Sequence, residues 1–414
     1  MRAWSRFRVA PWALGLAALV SCGLLLRWGI GEGLRDVADE PDALAAVRLE
    51  VTGEAQRTEV LALAVDLWSE TDTGPTLEVV LDPAGLAALR AQGIAFEVLS
   101  PDIMADAAAE QERLASAEAA RPGNFFAEYR DYETVDAHLD TLVARRPDLA
   151  RVETLGTSGQ GRHIRALRIS AAAADAPALV LNGGQHAREW ISVMATTCVA
   201  DRLVTDYEAD PRVRAVLGAH TIWVAPIINP DGYVHSWESD RYWRKNRRAP
   251  HGVDLNRNWS VGFGGRGSSS SRRSQIYRGS HAFSEPETRA LRDLVAREPT
   301  AVHIDFHSFG QLILYPWSHT KQPAPDRDRL AALGDAMASA IHSAHGESYR
   351  LMPGQDLYMA GGTALDWSYG ERGAMGYTIE LRPSGGNGFV LPPEQIEPTC
   401  DEAYAAVLAV AERL

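Results

Sequence analysis

The sequence predicts an α/β fold with a mixed, largely parallel sheet between layers of helices. Short apolar runs typical of buried strands alternate with helical stretches, and this alternation is the pattern of a parallel sheet. Three such runs cover residues 178–181, 220–224 and 301–306. Histidine and glutamate side chains follow the first and last of these runs closely. Because open α/β sheets bind ligands at the carboxyl ends of their strands, we expect the functional site there.

The chain begins with a segment that is first basic and then apolar. Three arginines within the first eight residues precede an apolar run over residues 10–26, which is the pattern of an export signal. Residues 1–32 are therefore predicted to be an export signal or membrane anchor. The protein is expected to be secreted, periplasmic or tethered to a membrane through this segment alone. Cys22 also fits a lipoprotein signal, so a cleaved signal, a lipidated signal and an uncleaved anchor all stay open.

Residues 40–103 differ in pattern and predict a small α/β domain. The predicted elements follow as strand, helix, strand, helix and strand, over residues 47–51, 60–68, 77–81, 83–91 and 94–99. An Ala- and Glu-rich helical connector is predicted over residues 104–121. Residues 122–414 are predicted to form the main domain, which begins with a helix over 135–145 and ends with one over 402–414.

Composition narrows the function classes. The chain has 414 residues, enough for two domains and a leader, and its net charge is −13. This acidity argues against a nucleic-acid partner, whose binding needs a basic surface. Cys198 and Cys400 lie in apolar stretches of helical pattern. Buried free thiols are the first expectation for this pair, and a single disulfide is the alternative.

A possible metal site stands out in residues 182–190. His186 and Glu189 are three residues apart, and His307 follows at the end of a later apolar run. On one helical turn, residues i and i+3 face the same way, so this pair can hold one metal from a single element. Two imidazoles and one carboxylate form the three-protein-ligand set of a catalytic zinc. The pattern therefore predicts a zinc site.

Other polar segments complete a series. After NGGQHAREW (182–190) come RYWRKNR (241–247), GVDLNRNW (252–259), HSF (307–309), Tyr358, DWSY (366–369) and YTIELR (377–382). In this order they resemble the zinc metallocarboxypeptidases of the carboxypeptidase A/B family, over roughly residues 122–414. The resemblance implies the zinc carboxypeptidase fold and one zinc ion per chain. It also implies a hydrolase that removes the last residue of peptides or proteins with a free C terminus.

The resemblance further implies roles for single residues. These roles are zinc ligation by His186, Glu189 and His307, orientation of the first histidine by Asp254, general-base catalysis by Glu380, oxyanion stabilisation by Arg244, and substrate binding by Arg188, Asn256, Arg257 and Tyr358. The chemistry suits them, since a guanidinium fork matches a terminal carboxylate in two parallel hydrogen bonds. Arg188, together with Arg241, Ser308 and Phe309, is expected to line the approach for residues upstream of the scissile bond.

The pocket for the C-terminal side chain is expected to be apolar. Leu365 stands where relatives that cut after basic residues carry an acidic residue, and Leu314, Ala364 and Thr378 match other positions of the pocket wall. None is charged, so a buried Lys or Arg head would lack a counter-ion, which is costly. An apolar side chain instead gains ~25 cal/mol per Å² on burial. We therefore expect a preference for C-terminal aromatic or large aliphatic residues.

The domain over residues 40–103 resembles the activation domain of procarboxypeptidases in pattern and position, which implies a ferredoxin-like fold. The protein would then be made as a zymogen whose cleft stays shielded until an activating protease cuts the connector. The bond after Arg113 is a candidate cleavage site, whereas the bond after Arg121 precedes a proline and is a poor one. An unrelated small domain that serves as a spacer or folding aid is the alternative.

Simpler interpretations exist for several site residues. Strand alternation puts Asp305 on the same face as His303 and His307. The ligand set is complete without it, so Asp305 is not assigned to the metal and His303 is expected to be structural. Glu380, for its part, is open to the interpretation of a buried carboxylate paired with Arg382.

Two other functions stay open. One is a related zinc amidohydrolase that acts on cell-wall peptides or small acyl-amino acids, and the other is a non-catalytic, zinc-bearing binding module. The chain retains Asn256, Arg257 and Tyr358, which the first would be free to change, and Glu380, which the second would commonly lose. The Gly- and Ser-rich stretch over residues 262–271 is expected to be a mobile surface loop.

Overall fold

A computed structural model of the protein describes residues 43–69, 75–120 and 123–414, with side chains for all of these except 117–120. The predicted export segment, residues 1–32, lies outside the described residues. Within the part of the chain that the structure describes, no helix is long and apolar enough to cross a membrane.

The N-terminal region, residues 43–100, is a four-stranded antiparallel sheet with two helices. In chain order its elements are β1 (Ala45–Glu50), α1 (Glu54–Leu63), β2 (Asp66–Leu67), β3 (Thr76–Leu81), α2 (Pro83–Ala91) and β4 (Glu97–Ser100). The strands lie in the sheet in the order β2-β3-β1-β4. The helix predicted over residues 60–68 is wrong in its second half, because residues 66–67 pair with β3 as strand β2.

The two faces of this small sheet pack against different partners. Val47 and Leu49 alternate along β1 and pack into a core with residues of α1 and α2. Val80 faces the other way and packs with Trp68 in a second cluster. That cluster includes Tyr242 and Phe389 from the later part of the chain, so the outer face of the small sheet docks onto it.

A single helix, α3 (Ile103–Ala120), follows the small sheet. Arg113 lies within it and pairs with Glu128. Leu114 packs against the core of the region that follows. The connector is thus helical and in contact with the rest of the protein rather than exposed as an extended strand.

Residues 123–414 form a large region around an eight-stranded mixed sheet of order β11-β10-β12-β9-β7-β8-β6-β5. The strands are β5 (Ala150–Thr157), β6 (His163–Ile169), β7 (Ala178–Asn182), β8 (Thr221–Ala225), β9 (Thr300–Ser308), β10 (Leu312–Tyr315), β11 (Arg350–Pro353) and β12 (Met375–Leu381). The helices are α4 (Tyr132–Arg145), α5 (Trp190–Thr205), α6 (Pro211–Ala219), α7 (Pro230–Glu238), α8 (Pro286–Arg297), α9 (Arg327–His345), α10 (Gly354–Leu357), α11 (Ala364–Arg372) and α12 (Ile396–Ala411), with 3₁₀ turns at Phe125–Ala127, Leu255–Arg257 and Pro393–Gln395.

The central strands β12, β9, β7 and β8 are parallel and carry helices on both faces, so the predicted fold class is confirmed. Alternation along β9 separates two kinds of side chain. Val302, Ile304 and Phe306 enter the main hydrophobic core, whereas His303 and His307 project from the opposite face. The polar face of β9 thereby becomes the floor of the site.

Cys198 and Cys400 form a disulfide, so the expectation of two free thiols is wrong. The cysteines lie 202 residues apart, on α5 and α12. These two helices pack side by side, which brings the Cα atoms to 5.8 Å, within the range that a disulfide spans. No local sequence pattern reveals such a pairing.

Candidate metal centre and substrate cleft

Three elements deliver the candidate metal ligands to one place. His186 lies in the turn between β7 and α5, and Glu189 is the residue that caps the start of α5. His307 lies near the carboxyl end of β9, which pairs in parallel with β7. All three side chains are buried. The predicted helical turn is a loop turn instead, but it still aims both side chains at the same point.

The ligand atoms cluster as a metal site requires. The Nδ1 atom of His186 lies 2.8 Å from one carboxylate oxygen of Glu189, and the Nδ1 atom of His307 lies 3.0 Å from the other. The two Nδ1 atoms are 3.1 Å apart. Zinc holds such ligands at about 2.0–2.2 Å in a tetrahedron, which separates them by about 3.3 Å. These three are the one such group of metal-binding side chains within the described residues, and they could hold one zinc ion.

The opposite ring nitrogens of both histidines face buried aspartates. The Nε2 atom of His186 lies 3.1 Å from Asp254, and that of His307 lies 2.8 Å from Asp305. An Nε2–H group that donates to its aspartate leaves Nδ1 without a proton and available to a metal, and the contact orients the ring. Asp254 thus contacts the histidine that the sequence predicted, and Asp305, which sequence reasoning left without a role, contacts the other.

Asp305 is itself held by amide groups. The side chains of Asn182 and Gln185 each donate a hydrogen bond of 2.6 Å to its carboxylate. Asn182 also contacts the Nε2 atom of His303 at 2.8 Å. Burial lowers the pKa of His303 to about 4, so this histidine is neutral and structural, as predicted.

The charges of the site stabilise one another. Burial by itself raises the pKa of Glu189, but His186 and His307 outweigh that effect and lower it to about 2. Burial likewise raises the pKa of Asp254, yet Arg244, Arg257 and His186 bring it well below its usual value. The positive groups around both carboxylates therefore favour their ionised forms.

Arg244 and Glu380 lie next to different parts of the ligand cluster. The Arg244 guanidinium binds Asp254 through Nη2 at 3.0 Å and Nε at 3.2 Å. Glu380 is on β12, in register with His307 on β9. Arg382, its suggested ion-pair partner, binds Glu402 instead, at 3.0 Å.

The residues expected to bind the substrate carboxylate lie on loops beside the metal cluster. Asn256 and Arg257 are buried in the 3₁₀ turn that Asp254 caps. The Nε atom of Arg257 donates to the carbonyl oxygen of Gly267 at 2.6 Å. Tyr358 is half-buried at the end of α10.

The expected pocket residues are also close together and buried. Leu314 on β10 is paired with Thr378 on β12. Ala364 and Leu365 form the start of α11, and the backbone of Ala364 donates to the side chain of Asn256 at 3.0 Å. The hydroxyl group of Thr378 is buried without a hydrogen-bond partner among the described residues, and none of the four side chains carries a charge.

The N-terminal region and α3 pack against two of the predicted substrate-lining residues, Arg188 and Arg241. The carbonyl oxygen of Trp68 accepts a hydrogen bond of 3.1 Å from Arg188. The Trp68 ring stacks on Tyr242 and meets Phe389 edge-on, with both ring centroids 5.1 Å away. On α3, the buried carboxylate of Glu110 pairs with Arg241. A cavity of about 470 Å³ remains between the two regions.

Comparison with known proteins identifies the family. The family model described as zinc carboxypeptidase (Peptidase_M14) matches residues 135–406. The chain belongs to the zinc carboxypeptidase family. It is therefore a metallocarboxypeptidase, a hydrolase whose family cofactor is zinc, and the predicted resemblance is confirmed.

Relatives of this zinc carboxypeptidase cover two thirds or more of its length. Carboxypeptidase A1 of Bos taurus is 34% identical over 386 residues, 89% of this chain and 91% of that protein. Carboxypeptidase B of Astacus astacus is 38% identical over 293 residues, 68% of this chain and 96% of that protein. The crystal structure of carboxypeptidase A from Helicoverpa armigera is 30% identical, covers 90% of this chain and 97% of that chain, and has a TM-score of 0.80.

Three features of this zinc carboxypeptidase escaped sequence reasoning. Asp305 orients His307, a role that strand alternation made visible but did not assign. Trp68, just after strand β2, contacts Arg188 and Tyr242 from a stretch that had been predicted as a helix. Gly267 binds Arg257 through its carbonyl oxygen, and a backbone carbonyl leaves no signal in the residue types.

Proposed function

We propose that this zinc carboxypeptidase hydrolyses the C-terminal peptide bond of peptides and proteins, with Glu380 as the general base. The register of β12 against β9 carries the proposal, since it makes Glu380 the direct neighbour of the metal ligand His307. Neighbours in register project from the same face of a sheet. A carboxylate in that position can take a proton from water at the metal and return it to the leaving amine.

When bound, the zinc polarises the scissile carbonyl and lowers the pKa of water beside it. The residues of the chain do the rest. Arg244 supplies a buried, permanent positive charge for the oxyanion that develops in the transition state. Its two contacts with Asp254 hold the guanidinium in place before the substrate arrives. Asp254 also contacts His186, so one carboxylate aligns both the metal ligand and the oxyanion group.

Cleavage at the chain end follows from the carboxylate-binding residues. Arg257 offers a guanidinium fork that matches a terminal carboxylate, and Asn256 lies beside it. Asn256 also approaches His307, with 3.5 Å between the amide nitrogen and Nε2. Only a substrate whose last peptide bond lies next to its free carboxylate can reach Arg257 and the metal together. Tyr358 closes over the bound C-terminal residue.

The preferred C-terminal residue is aromatic or large and aliphatic. The proposed pocket wall combines Leu314, Ala364, Leu365 and Thr378, all of them buried and uncharged. A Lys or Arg head would enter it without a counter-ion and lose its hydration. An apolar side chain would gain ~25 cal/mol for each Å² that it buries there.

A specificity profile tests the activity and the pocket together. Blocked dipeptides ending in Phe, Leu, Lys or Arg are offered to the full chain before and after limited proteolysis, with and without a chelator. Phe and Leu should be released, and the chelator should abolish the release. Leu365→Asp should shift the preference toward Lys and Arg, while the uncharged control Leu365→Asn should not. An unchanged preference in the aspartate variant would mean that Leu365 does not line the pocket.

The N-terminal region is an inhibitory propeptide in this proposal, and the protein is a zymogen. Support comes from its contacts, since Trp68 and Glu110 engage Arg188 and Arg241, two residues proposed to receive the upstream part of the substrate. An activating protease would have to cut between the two regions. A cut after Arg113 would first require local unfolding of α3, because proteases bind extended chains.

Weakening the contact between the N-terminal region and the rest of the protein tests the zymogen proposal. Trp68→Ala removes the stacked ring and should raise the activity of the uncut chain toward peptides severalfold. Val65→Ala is the matched control, because Val65 lies in the same segment but is 57% exposed. Equal activity of wild type and Trp68→Ala, both before and after proteolysis, would exclude an inhibitory role for Trp68.

We also infer export, with residues 1–32 as the signal or anchor. The Cys198–Cys400 disulfide supports it, because stable disulfides belong to oxidising compartments. Mass spectrometry of the protein from its native host should find no free thiol at these two positions. Two reactive thiols in freshly extracted protein would place it in a reducing compartment.

A further inference from the structure

The Gly- and Ser-rich stretch over residues 262–271, expected to be a mobile surface loop, is tied to the cleft. Residues 264–266 are exposed, but Gly267 is buried. The loop contacts two different parts of the proposed substrate site. One contact involves the side chain of Arg257, and the other involves the segment that follows Tyr358.

The first contact fixes the guanidinium of Arg257. Its Nε atom donates to the carbonyl oxygen of Gly267 at 2.6 Å, and its Nη1 atom donates to the carbonyl oxygen of Asn256 at 2.8 Å. An arginine held by its inner nitrogen has a defined direction for its fork. Without the Gly267 carbonyl, the side chain would keep its charge but lose this anchor.

The second contact joins the loop to the tyrosine segment, residues 358–362. The backbone of Gly361 donates to the carbonyl oxygen of Arg266 at 2.9 Å. A Cβ atom on Gly267 would lie 2.0 Å from the carbonyl oxygen of Met359, which is far inside van der Waals contact. Gly267 also has a φ of +67°, in the left-handed region that favours glycine. The close packing of the two backbones therefore requires a glycine at this position.

We propose that Gly267 is a positioning residue for the terminal carboxylate of the substrate, which it serves by aligning Arg257 against the tyrosine segment. The inference rests on the proposed function of Arg257. Gly267 touches no substrate atom. It sets the direction of the guanidinium through its carbonyl oxygen and sets the distance of the tyrosine segment through its missing side chain.

Binding of a product-like acid tests this role without requiring turnover. The probes are N-acetyl-L-phenylalanine and its amide, titrated by calorimetry into the full chain before and after limited proteolysis. Wild type should bind the acid more tightly than the amide. Gly267→Ala should weaken binding of the acid about tenfold or more, since small misplacements of a binding group are costly. Binding of the amide and the zinc content should stay unchanged.

Gly264→Ala is the matched control. Gly264 lies in the same loop with a φ of +80°, but a Cβ atom there would meet nothing closer than 3.6 Å, on the side chain of Arg278. This variant shares the backbone strain without the collision, so it should bind the acid like wild type. If Gly267→Ala does not fold, Gly361→Ala replaces it, because its Cβ would lie 2.2 Å from the carbonyl oxygen of Gly262 and press on the same loop.

A double-mutant cycle separates positioning from general damage. In the Arg257→Ala background, Gly267→Ala should change acid binding by less than about threefold, because the group through which it acts is already absent. Equal, additive losses in both backgrounds would overturn the inference, as would wild-type acid binding by folded Gly267→Ala. If wild type binds the acid but hydrolyses no dipeptide, the proposed function fails while the role of Gly267 is still decided.

Discussion

Side chains hold the candidate metal site in place, which we call the metal half of the cleft, whereas loop backbone holds the proposed carboxylate half. In the metal half, His186 and His307 contact Glu189 on one side and Asp254 and Asp305 on the other. In the carboxylate half, Arg257 donates to the carbonyl oxygens of Asn256 and Gly267. Asp254 joins the halves, since its carboxylate contacts His186 and accepts a hydrogen bond from the backbone N–H of Asn256. Because different contacts hold the two halves, one substitution can impair catalysis while another impairs recognition of the substrate carboxylate.

Among these variants, Glu380→Gln should separate catalysis from substrate binding most strongly. The glutamine keeps the shape of the side chain but cannot take a proton, so kcat should fall about 10³-fold, within the range of general-base catalysis. The substrate carboxylate still reaches Arg257, so KM should change little. Steady-state kinetics together with zinc analysis measure both effects. Turnover near that of wild type would remove Glu380 from the role of base.

A second prediction concerns the pH dependence of stability, which His303 beneath the metal half should affect. An unfolded histidine binds a proton below about pH 6.5, whereas His303 in the folded protein does so only below about pH 4. Between these values the unfolded chain holds the extra proton, so stability falls as the pH falls from 6.5 to 4. The expected loss is about 3 kcal/mol.

His303→Gln measures that contribution. The amide can still donate to Asn182 but does not titrate, so the variant should lose less stability than wild type between pH 6.5 and 4. Denaturant unfolding across this range provides the comparison. Parallel curves for the two proteins would show that His303 is not the group responsible.

A smaller effect is expected from Asp305→Asn. In either orientation the new NH₂ group faces a donor, Asn182 at one oxygen position or Gln185 and His307 at the other. The side chain therefore cannot keep its place, and the contact that orients His307 is weakened. Zinc affinity should fall about 10–100-fold, as for other partners of metal-bound histidines. Competition with a chelator measures it, and the exposed Asp328→Asn is the control. Unchanged affinity in Asp305→Asn would break the view that side-chain contacts hold the metal half.

The same division explains what the sequence could predict. The metal half could be predicted from the sequence because it depends on residue types. The spacing of His186 and Glu189 indicated one pair of ligands, and the place of His307 at the end of an apolar strand indicated the third. Alternation on β9 put Asp305 on the correct face, but it was given no role because the ligand set was complete without it. The interpretation of Glu380 as an Arg382 partner was wrong, since Arg382 binds Glu402 on α12.

Contacts between segments far apart in the chain could not be predicted from the sequence. Cys198 and Cys400 pair because α5 and α12 pack together, and no local pattern brings residues 202 positions apart into view. Gly267 appeared as part of a low-complexity loop, since its function depends on where a carbonyl oxygen points. Trp68 follows a short strand, β2, whose two residues gave too little alternation to be separated from the preceding helix.

A pair of matched substrates tests the central claim most directly. A blocked dipeptide with a free C-terminal phenylalanine and the same compound as its C-terminal amide differ only in the group that Arg257 would bind. The account predicts that the processed protein hydrolyses the acid at least about 100-fold faster in kcat/KM, because a site built for a polar group rejects the analogue that lacks it. Equal rates for acid and amide would contradict it.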